Sequence, residues 1–371
     1  MYPALVVLQH LQKIVNSHPD MQVLWVGGSG GMEVDLVKRA GVPFTSIPAA
    51  GLHGVGLREL PVNLWLLGRG FIAARAIIRQ FQPDVLFFTG GYIGIPVALA
   101  AKMTLVKRSR PNSLVYVPDI EPGLALKTLI HLCDHVAVTT EFSRQFMPPH
   151  KPITVTGYPV RSDLLNWDKE SARQVFGITP DLPVLFVTGG SRGARSINQA
   201  LIGILPDILK DMQVIHVSGQ LNWSEIETAR LSLPADLAIH YHAYPYLHAE
   251  MGAALSVADI VLSRAGASSL GEYPLFGLPA ILVPYPHAWR YQHVNAEYLV
   301  THGAAVLLED ADLPQKLLST LRMLVKDRSL LDQMGKAMRS LAQSEAPETL
   351  GRLVLGLSKS KVAKGSETWS A

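Results

Sequence analysis

The residues in this sequence best placed to do chemistry sit at glycine-rich turns. Residues 184–201, VLFVTGGSRGARSINQAL, read as a strand running into Gly189-Gly190-Ser191-Arg192-Gly193-Ala194 and then a helix. Glycines let a backbone approach a ligand closely. The N–H groups at a helix start, helped by the helix dipole, hold phosphate oxygens. Gly190, Ser191 and Gly193 therefore form a candidate phosphate cradle, with the Ser191 hydroxyl as a further donor. A tight turn without a ligand would also use glycine, but the length of the motif favours phosphate.

A second constellation lies in residues 258–296, ADIVLSRAGASSLGEYPLFGLPAILVPYPHAWRYQHVNA. A strand ends at Ser263, a small-residue loop follows, and a helix carries Glu272. A carboxylate about one turn into such a helix can accept both hydroxyls of a ribose; the alternative is a capping or surface glutamate. Beyond the next strand, the Gln292 amide can donate to and accept from sugar hydroxyls, unless it is an ordinary surface side chain. His287 and His293 beside it are sugar contacts or packing. Arg161, in Tyr158-Pro159-Val160-Arg161, can grip a diphosphate with two donors or form a structural salt bridge.

The first half repeats the pattern more faintly. Gly90-Gly91-Tyr92 follows the apolar run VLFF, and VYVPDIEPGL (115–124) places Asp119 and Glu121 at the end of another strand. A carboxylate there can deprotonate an attacking hydroxyl, or merely shape a turn. Asp310-Ala311-Asp312 has the spacing of a two-carboxylate metal site, but its place before a late helix reads as capping and turn formation. The 13 histidines show no metal-ligand clustering. The stretch Pro61–Gln80 mixes Trp65, Leu66 and Phe71 with Arg69, and Lys102, Lys107, Arg108 and Arg110 lie nearby. Such a face suits a bilayer headgroup layer; the rival reading is a core helix with a solvated basic back.

These residues need elements to position them. Strands are expected at Val23–Val26, Val85–Phe88, Leu114–Val117, His135–Val138 and Ile153–Thr156, then at Val184–Thr188, Gln213–Val217, Ala238–Tyr241, Ile260–Ser263 and Ala280–Val283. Helical patterns lie between most of them, which makes this an α/β chain with parallel sheets covered by helices. The rhythm restarts after the turn-rich residues 147–152. Two Rossmann-like domains, 1–157 and 158–345, account for this, with a helix end and basic tail over 346–371. The pattern opens in a helix from Tyr2 to Ile14, whereas a doubly wound sheet starts on a central strand. The expectation is that a first strand and its glycine-rich loop are missing.

The bulk numbers exclude several classes. With 371 residues, 48% hydrophobic and 17% charged, the chain has ample material for two cores and too little charge for disorder. A net charge of +3 does not suit bulk nucleic-acid binding. The single cysteine, Cys133, forms no intrachain disulfide or cysteine metal site and reads as a buried structural thiol. No signal peptide is visible, and the longest apolar stretch, 90–106, is broken by Lys102, Gly91, Gly94 and Pro96. A cytoplasmic protein, peripheral to a membrane, is expected.

With these residues assembled, the chain resembles the MurG family, the undecaprenyldiphospho-muramoylpentapeptide β-N-acetylglucosaminyltransferases of the GT-B fold. The segments that carry the resemblance are Tyr2-Pro3-Ala4-Leu5, residues 30–52, TGGYIGIP (89–96), EPGLA (121–125), GYPVR, GGSRGA, RAGASSLGE and VPYPHA, in order along nearly the whole chain. The resemblance implies two Rossmann-like domains facing a cleft; no cofactor, metal or nucleic-acid partner is expected. Ser191 and nearby amides with Arg161 would bind the diphosphate of UDP-GlcNAc, Glu272 the ribose and Gln292 the sugar, and a backbone N–H near Leu247 would read the uracil. Gly90, Gly91, Tyr92 and Asp119 would lie on the acceptor side, and Trp65, Leu66, Arg69 and Phe71 on the inner face of the cytoplasmic membrane.

The implied reaction is inverting transfer of N-acetylglucosamine to a lipid-linked acceptor, lipid I, in peptidoglycan synthesis. Its base would be Asp119 or a histidine of the missing loop. The sequence departs from the family pattern in three places. The glycine-rich loop ending in His is replaced by Met1, the HEQN segment by Tyr116-Val117-Pro118-Asp119, and one of two adjacent sugar-contacting glutamines by Tyr291. Alternatives in the same fold are transfer to another lipid acceptor, a UDP-GlcNAc 2-epimerase-like isomerase, and an inactive UDP-sugar-binding remnant.

Overall fold

The alternation of short apolar runs with helices produces parallel sheets. A computed structural model describes residues 2–15, 21–28, 33–48, 60–104, 110–190, 193–287 and 290–358. The strands are β1 (Trp25–Gly28), β2 (Phe44–Ile47), β3 (Val85–Phe88), β4 (Asn112–Val117), β5 (His135–Val138), β6 (Ile153–Val155), β7 (Val184–Thr188), β8 (Gln213–Val217), β9 (Tyr241–Tyr244), β10 (Ile260–Ser263), β11 (Ala280–Leu282) and β12 (Ala305–Leu307). Two compact units divide the chain: Met1–Pro159 together with Glu345–Ala371, and Val160–Ser344.

In the first unit, β3-β4-β5-β6 form one parallel sheet and β1-β2 a second. Strand β4 shows why both faces must be covered. Leu114, Val115, Tyr116 and Val117 are all fully buried, yet a strand turns successive side chains to opposite faces. Val115 and Val117 pack with Val97, Ala98, Leu126 and Leu129 of two flanking helices. Leu114 and Tyr116 pack with Val7, Leu11 and Leu350. The helix Ala346–Gly356 therefore completes the core of the first unit, against helix Tyr2–Val15. Gly351 permits this approach, since a Cβ there would lie 2.8 Å from the His10 ring.

In the second unit the strand order is β12-β11-β10-β7-β8-β9, all parallel. Numbered within the unit, this is the doubly wound order with its reversal between the first and fourth strands. Such a sheet binds ligands outside the carboxyl ends of the strands at that reversal. Here the reversal falls between β7 and β10, where Thr188 is paired with Ser263. The two glycine-rich motifs thus leave the sheet side by side.

Strands β1, β4, β6 and β11 differ from the sequence expectation by one or two residues at their ends, and three further elements differ more. Strand β9 begins three residues later than Ala238, because Pro234 starts a helical turn over Ala235–Ala238. Strands β2 and β12 were not foreseen: both are short sheet edges, and FTSI alternates too weakly to declare itself. Cys133 is buried as expected, and burial pushes its thiol up to about 12.

Candidate functional site

The turn after β7 is shaped by its glycines: Gly190 and Gly193 take left-handed backbone, and Gly189 and Gly193 have no room for a side chain. The Gly193 N–H donates to the Gly190 carbonyl at 2.9 Å, closing the turn, and both residues have positive φ, 78° at Gly190 and 77° at Gly193. A Cβ on Gly193 would lie 2.1 Å from the Ser218 carbonyl oxygen, and one on Gly189 2.1 Å from the Ala194 nitrogen. Ser191, the expected hydroxyl donor, lies outside the described residues. Helix Arg195–Ile208 follows, and Ala194 at its N-cap supplies no side-chain cap. Amides at such a start are satisfied by water or by a ligand, and the dipole favours an anion.

Interior polar side chains hold this helix in place. Its apolar stripe Ile197, Leu201, Ile204, Leu205 and Ile208 is buried, and so is Asn198. Asn198 Nδ2 donates to the Ser218 carbonyl at 2.9 Å, and its Oδ1 meets His216 Nε2 at 3.0 Å. His216 Nδ1 meets the Tyr241 hydroxyl at 2.7 Å. Burial lowers His216 to about 3, so the ring stays neutral. These contacts set one direction for the chain: Tyr241 donates to His216, His216 to Asn198, and Asn198 to Ser218.

After β10, residues Ala267–Leu270 form a single 3-10 turn and Glu272 opens a short helix, Glu272–Phe276. Glu272 thus lies at the helix start, at the sheet reversal. Burial pushes its carboxyl up to about 7, while the nearby Arg161 charge and a hydrogen bond from Ser268 pull the other way. The side chain keeps some solvent access, which tempers the burial effect. Arg161 precedes the 3-10 turn Ser162–Leu165 and lies 3.5 Å from Asp163. The salt bridge of the sequence reading is present, and the guanidinium also acts electrostatically on Glu272.

Leu247 follows β9 at the same sheet edge, with its side chain buried. Gln292 is the second residue of helix Tyr291–Thr301, not a loop residue, and its Oε1 accepts the Tyr285 N–H at 2.8 Å. Its Nε2 is the donor end of the amide. His287 packs edge-on against Tyr285, and His293 lies 3.7 Å from Glu309.

Asp310 and Asp312 form a 3-10 turn, as the sequence reading expected, and Asp312 takes the N-cap position of the following helix but makes no side-chain cap hydrogen bond. Asp310 pairs with Arg264 at 2.5 Å and Asp312 with Lys316 at 2.8 Å. Among the described residues no group of three or more His, Cys, Asp or Glu side chains could hold a metal ion. Sequence reasoning missed Arg264, Asn198 and Asn295, whose Nδ2 donates to the Ala265 carbonyl at 3.1 Å. Asn198 gave a faint signal, an amide among the apolar residues of a helix, which a buried site tolerates only when paired; Arg264, just past the strand end, gave none.

In the first unit, Gly90, Gly91 and Tyr92 form the turn between β3 and helix Gly94–Lys102, with φ of 114° at Gly90 and 83° at Gly91. Asp119 and Glu121 follow the adjacent strand β4, so these residues share one sheet edge. Asp119 is half-buried, while Glu121 is buried with Lys127 at 3.3 Å. Tyr116, in the HEQN-like position, is structural: its hydroxyl lies 2.9 Å from Thr139 Oγ1 and donates to the Gly157 carbonyl at 3.1 Å.

Helix Leu60–Phe81 exposes Val62, Trp65, Arg69 and Ile72 as a stripe. The Arg69 guanidinium covers the Trp65 ring at 4.8 Å. Leu66 and Phe71 are half-buried, and Phe71 packs on the core. Helical spacing puts Ile72, not Phe71, on the outer face with Trp65. Of the further basic residues, Lys102 is exposed and Arg110 pairs with Asp134, while Lys107 and Arg108 lie outside the described residues. Among the described residues no helix is long and apolar enough to cross a membrane.

Comparison with known proteins agrees with the fold. The Glycosyltransferase family 28 N-terminal domain matches residues 1–110 and its C-terminal domain residues 184–350. A solved MurG from Acinetobacter baumannii superposes with a TM-score of 0.73 at 24% identity, covering 96% of this chain and 95% of that one. A UDP-GlcNAc 2-epimerase from Neisseria meningitidis bound to UDP-GlcNAc superposes with a TM-score of 0.64 at 14% identity, over 95% and 96% of the two chains. The fold is that of the GT-B proteins.

Two relatives carry the name UDP-N-acetylglucosamine--N-acetylmuramyl-(pentapeptide) pyrophosphoryl-undecaprenol N-acetylglucosamine transferase. The Roseiflexus sp. (strain RS-1) protein is 37% identical, covering 92% of this chain and 85% of its own. The Desulforamulus reducens protein is 36% identical, over 93% and 92%. The chain belongs to the MurG family of glycosyltransferases.

Proposed function

We propose that this protein transfers N-acetylglucosamine from UDP-GlcNAc to the muramoyl-pentapeptide carried on undecaprenyl diphosphate, with inversion, at the cytoplasmic face of the membrane. The observation that carries this reading is the pairing of Thr188 with Ser263 at the sheet reversal, which brings the glycine turn, the uncapped helix start and Glu272 to one edge. Family membership points the same way.

In this reading the acceptor hydroxyl attacks the anomeric carbon opposite the departing UDP. The leaving diphosphate gains negative charge, which the Gly189–Ala194 amides, the helix dipole and Arg161 stabilise without reorganising. The Glu272 carboxylate accepts the ribose hydroxyls, an N–H near Leu247 meets the uracil, and Gln292 Nε2 donates to the sugar. Asp119 is the proposed base for the acceptor proton, with Gly90, Gly91 and Tyr92 beside it on the acceptor side. The Val62–Trp65–Arg69–Ile72 stripe is the proposed membrane contact, with the aromatic and aliphatic groups among acyl chains and Arg69 at the headgroups.

The test is transfer of labelled sugar from UDP-GlcNAc by the purified protein in detergent micelles, with lipid I, diacylglycerol or no acceptor. Product on lipid I alone is expected. Product on diacylglycerol, or conversion of UDP-GlcNAc to its 2-epimer without acceptor, would replace the proposal with the corresponding alternative.

A further inference from the structure

Arg264 is the first residue after β10, and only 12% of its side chain is accessible. Its guanidinium reaches four groups at once. Nη1 donates one N–H to Asp310 Oδ1 at 2.5 Å and shares the other between the Val283 carbonyl at 3.2 Å and the Pro284 carbonyl at 3.3 Å, and Nη2 donates to Ser196 Oγ at 2.8 Å. The guanidinium also lies 5.3 Å from the centre of the Tyr285 ring. Ser196 in turn donates to Asp310 at 2.7 Å, which closes a triangle of side chains.

The partners belong to separate elements. Ser196 is the second residue of helix Arg195–Ile208, whose start faces the proposed diphosphate. Val283, Pro284 and Tyr285 form the segment that leaves β11, and the Tyr285 N–H is bound by Gln292, the proposed sugar ligand. We infer that Arg264 is a positioning residue, which fixes the sugar-side segment 283–285 at a set distance from the helix that meets the diphosphate. This rests on the donor-site reading above.

Valence and shape distinguish arginine from lysine at this position. A guanidinium offers five N–H donors in a rigid planar fork, whereas an ammonium offers a point charge with three. Lysine could neutralise Asp310 but could not hold a hydroxyl on one side and two carbonyls on the other. A partly buried ion pair adds little net stability over an apolar pair of the same volume. What it supplies is a defined separation between two loops. In a transferase, that separation decides whether diphosphate and sugar are held together in the reactive arrangement.

The test compares the affinity of the full chain for UDP-GlcNAc and for UDP by calorimetry, in the parent protein, Arg264→Lys, Ser196→Ala and the double variant, with Tm measured alongside. The expected result for Arg264→Lys is a shift of about tenfold in the affinity ratio against the sugar nucleotide, with UDP affinity changed by no more than about twofold. Ser196→Ala should shift the ratio the same way by about threefold, and the double variant should be no worse than Arg264→Lys, because both remove one connection. An unchanged ratio, with or without an equal fall in both affinities and in Tm, would overturn the inference. If Arg264→Lys does not fold, Ser196→Ala decides alone by the sign of its ratio. A parent protein that binds neither ligand would instead overturn the donor-site reading.

Discussion

Two glycine-rich turns in this molecule look alike in sequence and are built on different physics. The turn at Gly90–Tyr92 leads into helix Gly94–Lys102, which is held by small apolar contacts: Pro96, Val97, Ala98, Ala100 and Ala101 are buried. The turn at Gly190–Gly193 leads into a longer helix held at its start by hydrogen bonds from inside the protein, through Ser196 and Asn198. A helix packed by small side chains can settle by fractions of an ångström. One braced by directional bonds to the neighbouring strand end cannot. A site for a diphosphate needs the second kind, because amides must meet fixed oxygens. A site for a bulky acceptor tolerates the first.

The comparison can be broken from either side. The largest effect is expected at the first turn's edge, where Asp119 stands beside Gly90 and Gly91. Asp119→Asn should lower the transfer rate by about a thousandfold if it is the base, with UDP-GlcNAc affinity unchanged. Steady-state rates at saturating donor, with calorimetry, would separate the two. A fully active variant would remove Asp119 from the chemistry.

The glycines give the next effect. In Gly193→Ala the new methyl would meet the Ser218 carbonyl oxygen at 2.1 Å, and that carbonyl is pinned by Asn198. Donor affinity should fall about a hundredfold. Gly91→Ala meets nothing within 4 Å and bears only the strain of φ 83°, about 1 kcal/mol, so donor affinity should hold and Tm fall slightly. Equal losses in the two variants would erase the distinction drawn above.

A smaller effect, with a sign, belongs to Glu272. Its carboxyl is raised to about 7 from an unperturbed 4.5. Ribose hydroxyls would donate to the ionised form, so binding below that value requires loss of a proton. UDP-GlcNAc affinity should therefore rise as pH goes from 6 to 8, by up to about tenfold, and level off above the raised value. The same shift acts on folding with the opposite sign. A raised carboxyl contributes stability that is fully present below 4.5 and lost as pH climbs through about 7. Glu272→Gln should flatten the binding profile and, at pH 8, raise stability by about 1–2 kcal/mol once its partial exposure is allowed for. Affinity independent of pH in the parent protein would remove the ribose role.

How much of this was legible depends on which force made each feature. Buried parallel strands announce themselves as apolar runs, so β3, β5, β7, β8 and β10 fall where the residues place them. The glycines of the turn after β7 are legible because left-handed backbone and close backbone contact both call for glycine. The polar braces were not: Arg264 reads as a loop cation, and Asn198 as one polar residue in a helix. Their partners, Asp310 and Ser218, are remote in sequence, and only the sheet order brings them together. Phe71 and Leu66 were assigned outward because hydrophobicity alone does not say which side of an apolar helix meets the core.

The smallest expected effect tests that last point. On helix Leu60–Phe81, Val62, Trp65, Arg69 and Ile72 recur at intervals of three and four and face outward together, with Ile72 69% exposed. Each apolar side chain moved into the acyl boundary contributes in proportion to its buried area, and a single aromatic or aliphatic group is a modest share of peripheral binding. Trp65→Ser with Ile72→Ser should weaken binding to anionic vesicles about fivefold and leave Tm within a degree or two, because neither side chain supports the core. Phe71→Ala should do the reverse, lowering Tm by removing a ring packed on the interior while vesicle binding per folded molecule holds. Vesicle sedimentation corrected for the folded fraction reads both. Should Phe71→Ala release the protein from vesicles while the double serine variant does not, the outward stripe is not the membrane contact.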